Sequence, residues 1–331
     1  MRSNTSFITF WIKSTSKAFL IIFIFVSLTA CSSLGSPPEK SKPDVIREYL
    51  FHSKKARTRY YNAYNKTLKL FTVPVEEVDV KTRFGKAHII VSGPKDAPAL
   101  VLLHGMDASS TMWYPNMEAL SQSHRVYAID YIMDCGKSEL KTGPLNKAQV
   151  VLFYNDIFDK LKIDKFDILG TSRGGWIAAW LAIQPASKIK RLVLMSPAQV
   201  LAMVNIKIFP AIIFKLFPSH KNLNRTFTVF SQHPGKIAPE FKEQFYIASK
   251  YGNSQAQVMK MMPFSHKQLA ALKIPVLLLV GDHDIMNGKR AMDKATAYIA
   301  NVKIEKISDS GHFMSTDQTE IVDKIVLDFL H

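Results

Sequence analysis

One serine stands between two glycines in Gly170-Thr171-Ser172-Arg173-Gly174, after the apolar run Phe166-Asp167-Ile168-Leu169 and before WIAAWLA at 176–182. The first run has the texture of a strand and the second that of a buried helix, so Ser172 falls on the turn between them. Glycines on both sides let a strand pass abruptly into a helix, leaving the serine exposed beside the first free N–H groups of that helix. A serine so placed is a candidate nucleophile, although a serine at a helix start is also an ordinary N-cap. A hydroxyl is a weak nucleophile near neutral pH, so catalysis requires a base within reach and a carboxylate to orient that base. Of the ten histidines, His312 lies in a polar loop, Ser308 to Phe313, between the last strand and the last helix. A carboxylate, Asp282 or Asp284, stands at the exit of the preceding strand in LLLVGDHD (277–284). All three positions follow strand C-termini, the edge where open α/β sheets gather ligands, in the chain order Ser, Asp, His.

Acyl transfer through such a serine also needs donors for an oxyanion. The backbone N–H of Arg173 is one, and the turn His104-Gly105-Met106-Asp107 offers a second through Met106. His104 reads as a brace for that turn, and Asp107 and Trp113 as residues that line a pocket or hold the loop. His283 sits between two aspartates but has no further ligands at metal spacing. Cys135, a lone thiol in a mixed loop, reads as packed rather than catalytic. This chemistry calls for no metal, nucleotide or flavin.

The elements around these residues alternate. Glu77 to Phe84 and His88 to Gly93 form a hairpin about Gly85, and the apolar strand Ala99 to Leu103 follows. Further strands are expected at 126–129, 166–169, 192–195, 276–280 and 302–307, with helices at 146–161 and 174–183 between them. This is a mostly parallel, doubly wound α/β sheet. A final helix beginning near 315–317 carries Ile321, Ile325 and Phe329 on the stripe that closes the fold. Residues 198–273 are too long for a structureless connection and read as an inserted helical cap, rich in Phe, Ile, Met and Lys. Its most apolar part is IKIFPAIIFKLF (206–217). The basic, tyrosine-bearing arm at 43–70 reads as an N-terminal helix, either packed on the core or, the preferred reading, charged and solvated between tether and domain.

Five blocks in order carry a resemblance: HGMDASSTMW (104–113), VYAIDYIMDCGKS (126–138), GTSRGG (170–175), LLLVGDHD (277–284) and SGHF (310–313). Together they resemble an α/β-hydrolase-fold enzyme with a cap domain, from about Val75 to Leu330. The resemblance implies Ser172 as nucleophile, Asp284 rather than Asp282 as triad acid, His312 as base, and Met106 and Arg173 as oxyanion donors. One departure lies in Met133-Asp134-Cys135-Gly136, which keeps one glycine where the family has two around one residue. It bears on that loop's shape and not on the triad.

The first thirty residues read differently. Arg2, Lys13 and Lys17 precede an uncharged apolar run, 18–30, with the grammar of a signal peptide. Leu28-Thr29-Ala30-Cys31 resembles the lipobox of bacterial lipoproteins, which implies a lipidated Cys31 and a site at the outer face of the cytoplasmic membrane. The expected organisation is a leader over 1–30, a tether over 31–42, the arm over 43–70, a core over 71–197 and 274–331, and a cap over 198–273. With Cys31 modified, only Cys135 remains, so stability must come from a core. The net charge of +16 is spread over scattered lysines without a nucleic-acid motif, so anionic lipid or cell wall is the expected macromolecular partner, with the membrane surface also reached through Cys31. The chain is thus expected to be a membrane-tethered serine hydrolase of a small acyl substrate. The alternatives are an amidase, iminopeptidase or perhydrolase with the same triad, or a silent binding protein on the same fold. The sequence leaves the oligomeric state open.

Overall fold

Strand β3 (Ala99–Leu103) contains no polar residue, and its side chains are buried on both faces: Leu100 and Leu102 in one apolar cluster, Val101 and Leu103 in another. A strand of this kind demands a layer on each side of its sheet. A computed structural model describes residues 50–203, 206–252 and 261–331, in which that demand is met. The leader, the tether with Cys31, and the arm before Leu50 lie outside the described residues.

The described chain forms a nine-stranded sheet. Its members are β1 (Glu76–Thr82), β2 (Gly85–Ser92), β3, β4 (Arg125–Ile129), β5 (Glu139–Leu140), β6 (Phe166–Thr171), β7 (Ile189–Met195), β8 (Val276–Gly281) and β9 (Val302–Ile307). They run in the order β1-β2-β4-β3-β6-β7-β8-β9, with β5 paired to β2. The β1–β2 and β2–β4 pairs are antiparallel and every pair from β4 to β9 is parallel. One layer is anchored by Phe153 and Phe158 of α3 (Lys147–Lys160) and by Trp176 of α4 (Arg173–Ala182). The opposite layer contains Tyr60 and Tyr64 of α1 (Lys54–Leu68), Met117 of α2 (Met117–Ser121) and the C-terminal helix.

Two expectations need correction. The described part of the basic arm, from Leu50 onward, is not solvated but packs on the core. Ser53 caps α1, Lys54–Leu68, by accepting from Ala56 N. Tyr60 and Tyr64, four residues apart on one face, are fully buried, and the Tyr60 hydroxyl donates to Cys135 O at 3.0 Å. The charges of α1 decorate its other face. In the last helix the buried stripe is Val322, Val326 and Leu330, while Ile321 is half exposed. Two adjacent apolar stripes compete there, and the phase falls one residue later than the periodicity predicts.

Between β7 and β8 the described residues include four α-helices: α5 (Phe209–Leu216), α6 (His220–Phe230), α7 (Pro239–Tyr251) and the short α8 (His266–Ala270). Phe214, Leu223, Phe227, Ile237 and Phe241 pack together there, with Ala108 of the core loop below. The helices α9 (Lys289–Tyr298), α10 (Met314–Asp317) and α11 (Thr319–Leu330) complete the chain.

One buried carboxyl in α11 gives a stability prediction. Asp323 accepts from Asn116 Nδ2 at 2.7 Å, but burial outweighs that bond and pushes its pKa up to about 7. The folded state therefore keeps a proton that the unfolded state loses near pH 4, and stability falls as pH rises from about 4 to about 7. Asp323→Asn removes this cost, and its amide can donate to Asn116 Oδ1, which has no partner among the described residues. The variant should gain stability over the parent across that window, by up to about 4 kcal/mol at neutral pH. Denaturant melts at pH 4 and pH 7 test this; a pH-independent difference would refute it.

Candidate active site

Ser172 leaves β6 in a backbone conformation, φ 51° and ψ −119°, that L residues rarely adopt. Its N–H donates to Met195 O at 3.1 Å, and its carbonyl accepts from Trp176 N at 3.3 Å and Ala198 N at 3.0 Å. The flanking glycines are needed for close approach. A Cβ on Gly170 would stand 2.3 Å from Gly174 O, and one on Gly174 would stand 2.1 Å from Leu103 O. The serine side chain makes no capping bond to α4, so the N-cap reading fails. It faces a cavity instead.

His312 reaches the same cavity from the loop after β9. Behind it, Asp284 Oδ1 lies 3.3 Å from His312 Nδ1, both side chains being almost fully buried. Asp284 is fixed in turn: Oδ1 accepts from Met286 N at 2.9 Å and Oδ2 from Asn287 Nδ2 at 3.0 Å. Burial pushes its pKa up, but the His312 bond and charge and the other donors outweigh burial, and Asp284 is held below the ordinary aspartate range. An ionised Asp284 favours the tautomer with a proton on Nδ1, which leaves Nε2 free to accept one.

Asp282 does different work. It accepts from Asp309 N and Ser310 N, each at 3.0 Å, and from the exposed His283 ring at 2.8 Å, so it pins the histidine loop from outside. His283 is thereby engaged on the surface. The loop is pinned from inside by Asp317, fully buried, which accepts from Gly311 N at 2.8 Å, Gln232 N at 3.0 Å, His233 N at 3.1 Å and the Ser231 hydroxyl.

Met106 and Arg173 line the cavity with Ser172. His104 braces the Met106 turn: its Nε2 accepts from Tyr131 N at 2.9 Å, and its Nδ1 donates to Gly105 O at 2.7 Å. Burial first, and then the charge of Arg173, hold His104 below the ordinary histidine range, consistent with a neutral ring. The Arg173 side chain folds beneath the turn, with Nη2 2.5 Å from Asp134 Oδ2 and 3.3 Å from Gly105 O, and with its guanidinium over the Tyr131 ring. Asp134 Oδ2 also accepts from Asp107 N at 2.8 Å. Burial raises the Asp134 pKa, but Arg173 outweighs it and keeps the carboxyl below its ordinary range. The single-glycine loop is therefore where a buried carboxylate ties three loops together.

The cavity has a volume of about 340 Å³ and is walled mainly by apolar side chains, among them Met112, Phe214, Phe230, Phe241 and Phe245. Lys215 enters it from α5 and meets both oxygens of Asp107, at 2.9 and 2.8 Å. Burial works against its charge, but Asp107 outweighs burial and the lysine is held above its ordinary range. Trp113 and Cys135 are fully buried and outside the lining; burial also pushes the Cys135 thiol well up, away from thiolate chemistry.

Sequence reasoning missed Asp134, Lys215, Asn287 and Asp317. Only Asp134 left a signal, as an acid in the loop that departs from the family pattern. Arg173 also supplies a stability prediction. Arg173→Met leaves Asp134 buried without its cation and should cost about 3–5 kcal/mol, whereas Arg173→Met with Asp134→Leu should be less damaging than the single change. Denaturant melts of both variants decide this, and additive losses would refute the coupling.

Comparison with known proteins bears on the fold and the family. A family model described as the alpha/beta hydrolase fold matches residues 98–318. The chain is 31% identical over 281 residues to carboxylesterase YbfK of Bacillus subtilis, covering 82% of this chain and 93% of that protein. The crystal structure of naproxen esterase (carboxylesterase NP) from Bacillus subtilis superposes with a TM-score of 0.79 at 29% identity, covering 85% of this chain and all of the other. That of carboxylesterase CesB (YbfK) gives 0.77 at 30% identity, over 83% of this chain and 98% of its own. On fold, matched length and relatives together, the chain belongs to the alpha/beta hydrolase fold family and is a hydrolase.

Proposed function

We propose that the protein hydrolyses carboxylic esters through Ser172, His312 and Asp284, and that lipid on Cys31 holds it at the outer face of the cytoplasmic membrane. The observation that carries the first part is the buried His312–Asp284 pair, facing the same apolar cavity as a serine held at positive φ. Relatives named as carboxylesterases favour an ester over an amide.

In this reading Ser172 Oγ attacks the carbonyl carbon while His312 Nε2 takes its proton. Asp284 holds the imidazole in the productive tautomer and stabilises the imidazolium. The oxyanion meets the N–H groups of Met106 and Arg173, each donor being worth about 3 kcal/mol. Collapse expels the alkoxide, which His312 protonates. Water, deprotonated by His312, then releases the acid and restores Ser172.

A fluorophosphonate probe should attach to Ser172 alone, located by peptide mass spectrometry. A folded sample that stays unlabelled, or an adduct elsewhere, would sink the assignment. The tether is tested separately: Cys31→Ala should block incorporation of radiolabelled fatty acid in a bacterial host, and undiminished labelling would remove it from the proposal.

A further inference from the structure

Helix α5, FPAIIFKL, carries one charge, and that charge points the wrong way for a helix that simply faces water. Lys215 is turned into the cavity against Asp107, while Phe209, 50% exposed, and Leu216, 64% exposed, look outward. Ile206 in the preceding turn is 75% exposed and Phe217 after the helix is 66% exposed. A surface helix normally presents its polar face to water and its apolar face to the core. Here the inner face holds the ion pair and the outer face is apolar. Contiguous exposed apolar surface of this kind marks an interaction site.

Charge complementarity identifies the occupant. No Asp or Glu occurs anywhere in residues 168–239, a stretch that includes α5 and α6, whereas the cap part of it carries Lys207, Lys215, Lys221, Arg225 and Lys236. Lys207, beside Ile206, and Lys221 and Arg225, one turn apart on the neighbouring α6, are exposed. Apolar side chains flanked by cations suit the boundary between acyl chains and anionic headgroups, and the exposed acid that reaches α6, Glu243, lies 3.8 Å from His220 at its start. The outer face is also continuous with the cavity: Ile212 is 41% exposed and lines the pocket that contains Ser172. An acyl chain leaving the surface at α5 would meet apolar side chains from the rim inward.

We infer that the outer face of α5 docks on an anionic lipid surface and that the ester hydrolysed is one anchored in that surface by an acyl chain. This deepens the ester reading and rests on it for the substrate, but the docking can be read without turnover.

The test uses the full chain and two substrates: a fluorogenic long-chain acyl ester embedded in phosphatidylglycerol vesicles, and monomeric p-nitrophenyl butyrate. Phe209→Glu with Leu216→Glu, neither of which lines the cavity, should lower the vesicle rate by about tenfold or more through lost apolar contact. The rate on the monomeric ester should stay within about twofold of the parent, which also reports folding. Phosphatidylcholine vesicles should support a lower parental rate than phosphatidylglycerol. Equal loss on both esters, or loss on neither, would overturn the inference. A concentration-dependent doubling of mass abolished by the same substitutions, with no vesicle effect, would also overturn it and assign the face to a second copy of the chain. Should the parent turn over neither ester, the ester reading falls alone. Docking is then read from Phe217→Trp, whose added emission over the parent should be quenched by brominated phosphatidylglycerol; no quenching refutes docking.

Discussion

Ser172→Ala is expected to lower ester turnover by roughly 10⁶-fold, the scale on which removing a nucleophile that acts as part of a unit is felt. The fold should survive the change, because the hydrogen bonds at this residue are made by its backbone: N–H to Met195 O, and carbonyl from Trp176 N and Ala198 N. Alanine occupies the same positive φ at similar cost, so the melt of the variant should match the parent. Steady-state kinetics beside a thermal melt check both halves. Unchanged turnover by the folded variant would transfer the chemistry to another residue.

Asp284→Asn should cost up to about 10⁴-fold in turnover, because an amide at this place can offer its N–H₂ to His312 Nδ1 and favour the wrong tautomer. The amide has the shape of the carboxylate but only one acceptor oxygen, so one of the two donors to Asp284, Met286 N or Asn287 Nδ2, then meets an N–H₂ group; a small loss in the melt should accompany the much larger loss in kcat. Asp282→Asn is the control. Its partners are Asp309 N, Ser310 N and His283, and none of these lines the cavity, so turnover should change only a few-fold. Its signature should be acid stability instead. Burial raises the Asp282 pKa, but the Ser310 and Asp309 N–H groups and His283 outweigh this and bring it to about 2. The stability it contributes is full above about pH 4, the unfolded value, and is lost as pH falls through about 2. The advantage of the parent over Asp282→Asn should therefore vanish across that window. A larger kinetic loss in Asp282→Asn than in Asp284→Asn would reverse the roles proposed for the two acids.

The fold was legible because its signals are local. Apolar runs such as Leu277–Val280 demand burial on both faces wherever they lie, and the glycines at 170 and 174 are required by a turn of five residues. The candidate site was legible in the same measure: Ser172 and His312 each sit in a short motif at a strand end. What escaped the sequence depends on partners far along the chain. Lys215 is 108 residues from Asp107, and Asp317 collects donors from 231–233 as well as from Gly311. Neither lysine nor aspartate has a spacing rule that would announce such a meeting. The burial of α1 escaped for another reason: its composition is basic on average, but burial is decided by two tyrosines on one face.

The mooring at Asp317 bears on how this protein could be re-engineered. Phe230 O accepts from Phe313 N at 3.0 Å, and Ser231, Gln232 and His233 all donate to Asp317, so the end of α6 and the loop bearing His312 are one mechanical piece. The insertion is consequently not a detachable module. A chimera that replaces it with a foreign segment must reproduce the donors at 231–233, or it will set His312 adrift while leaving every residue of the core unchanged.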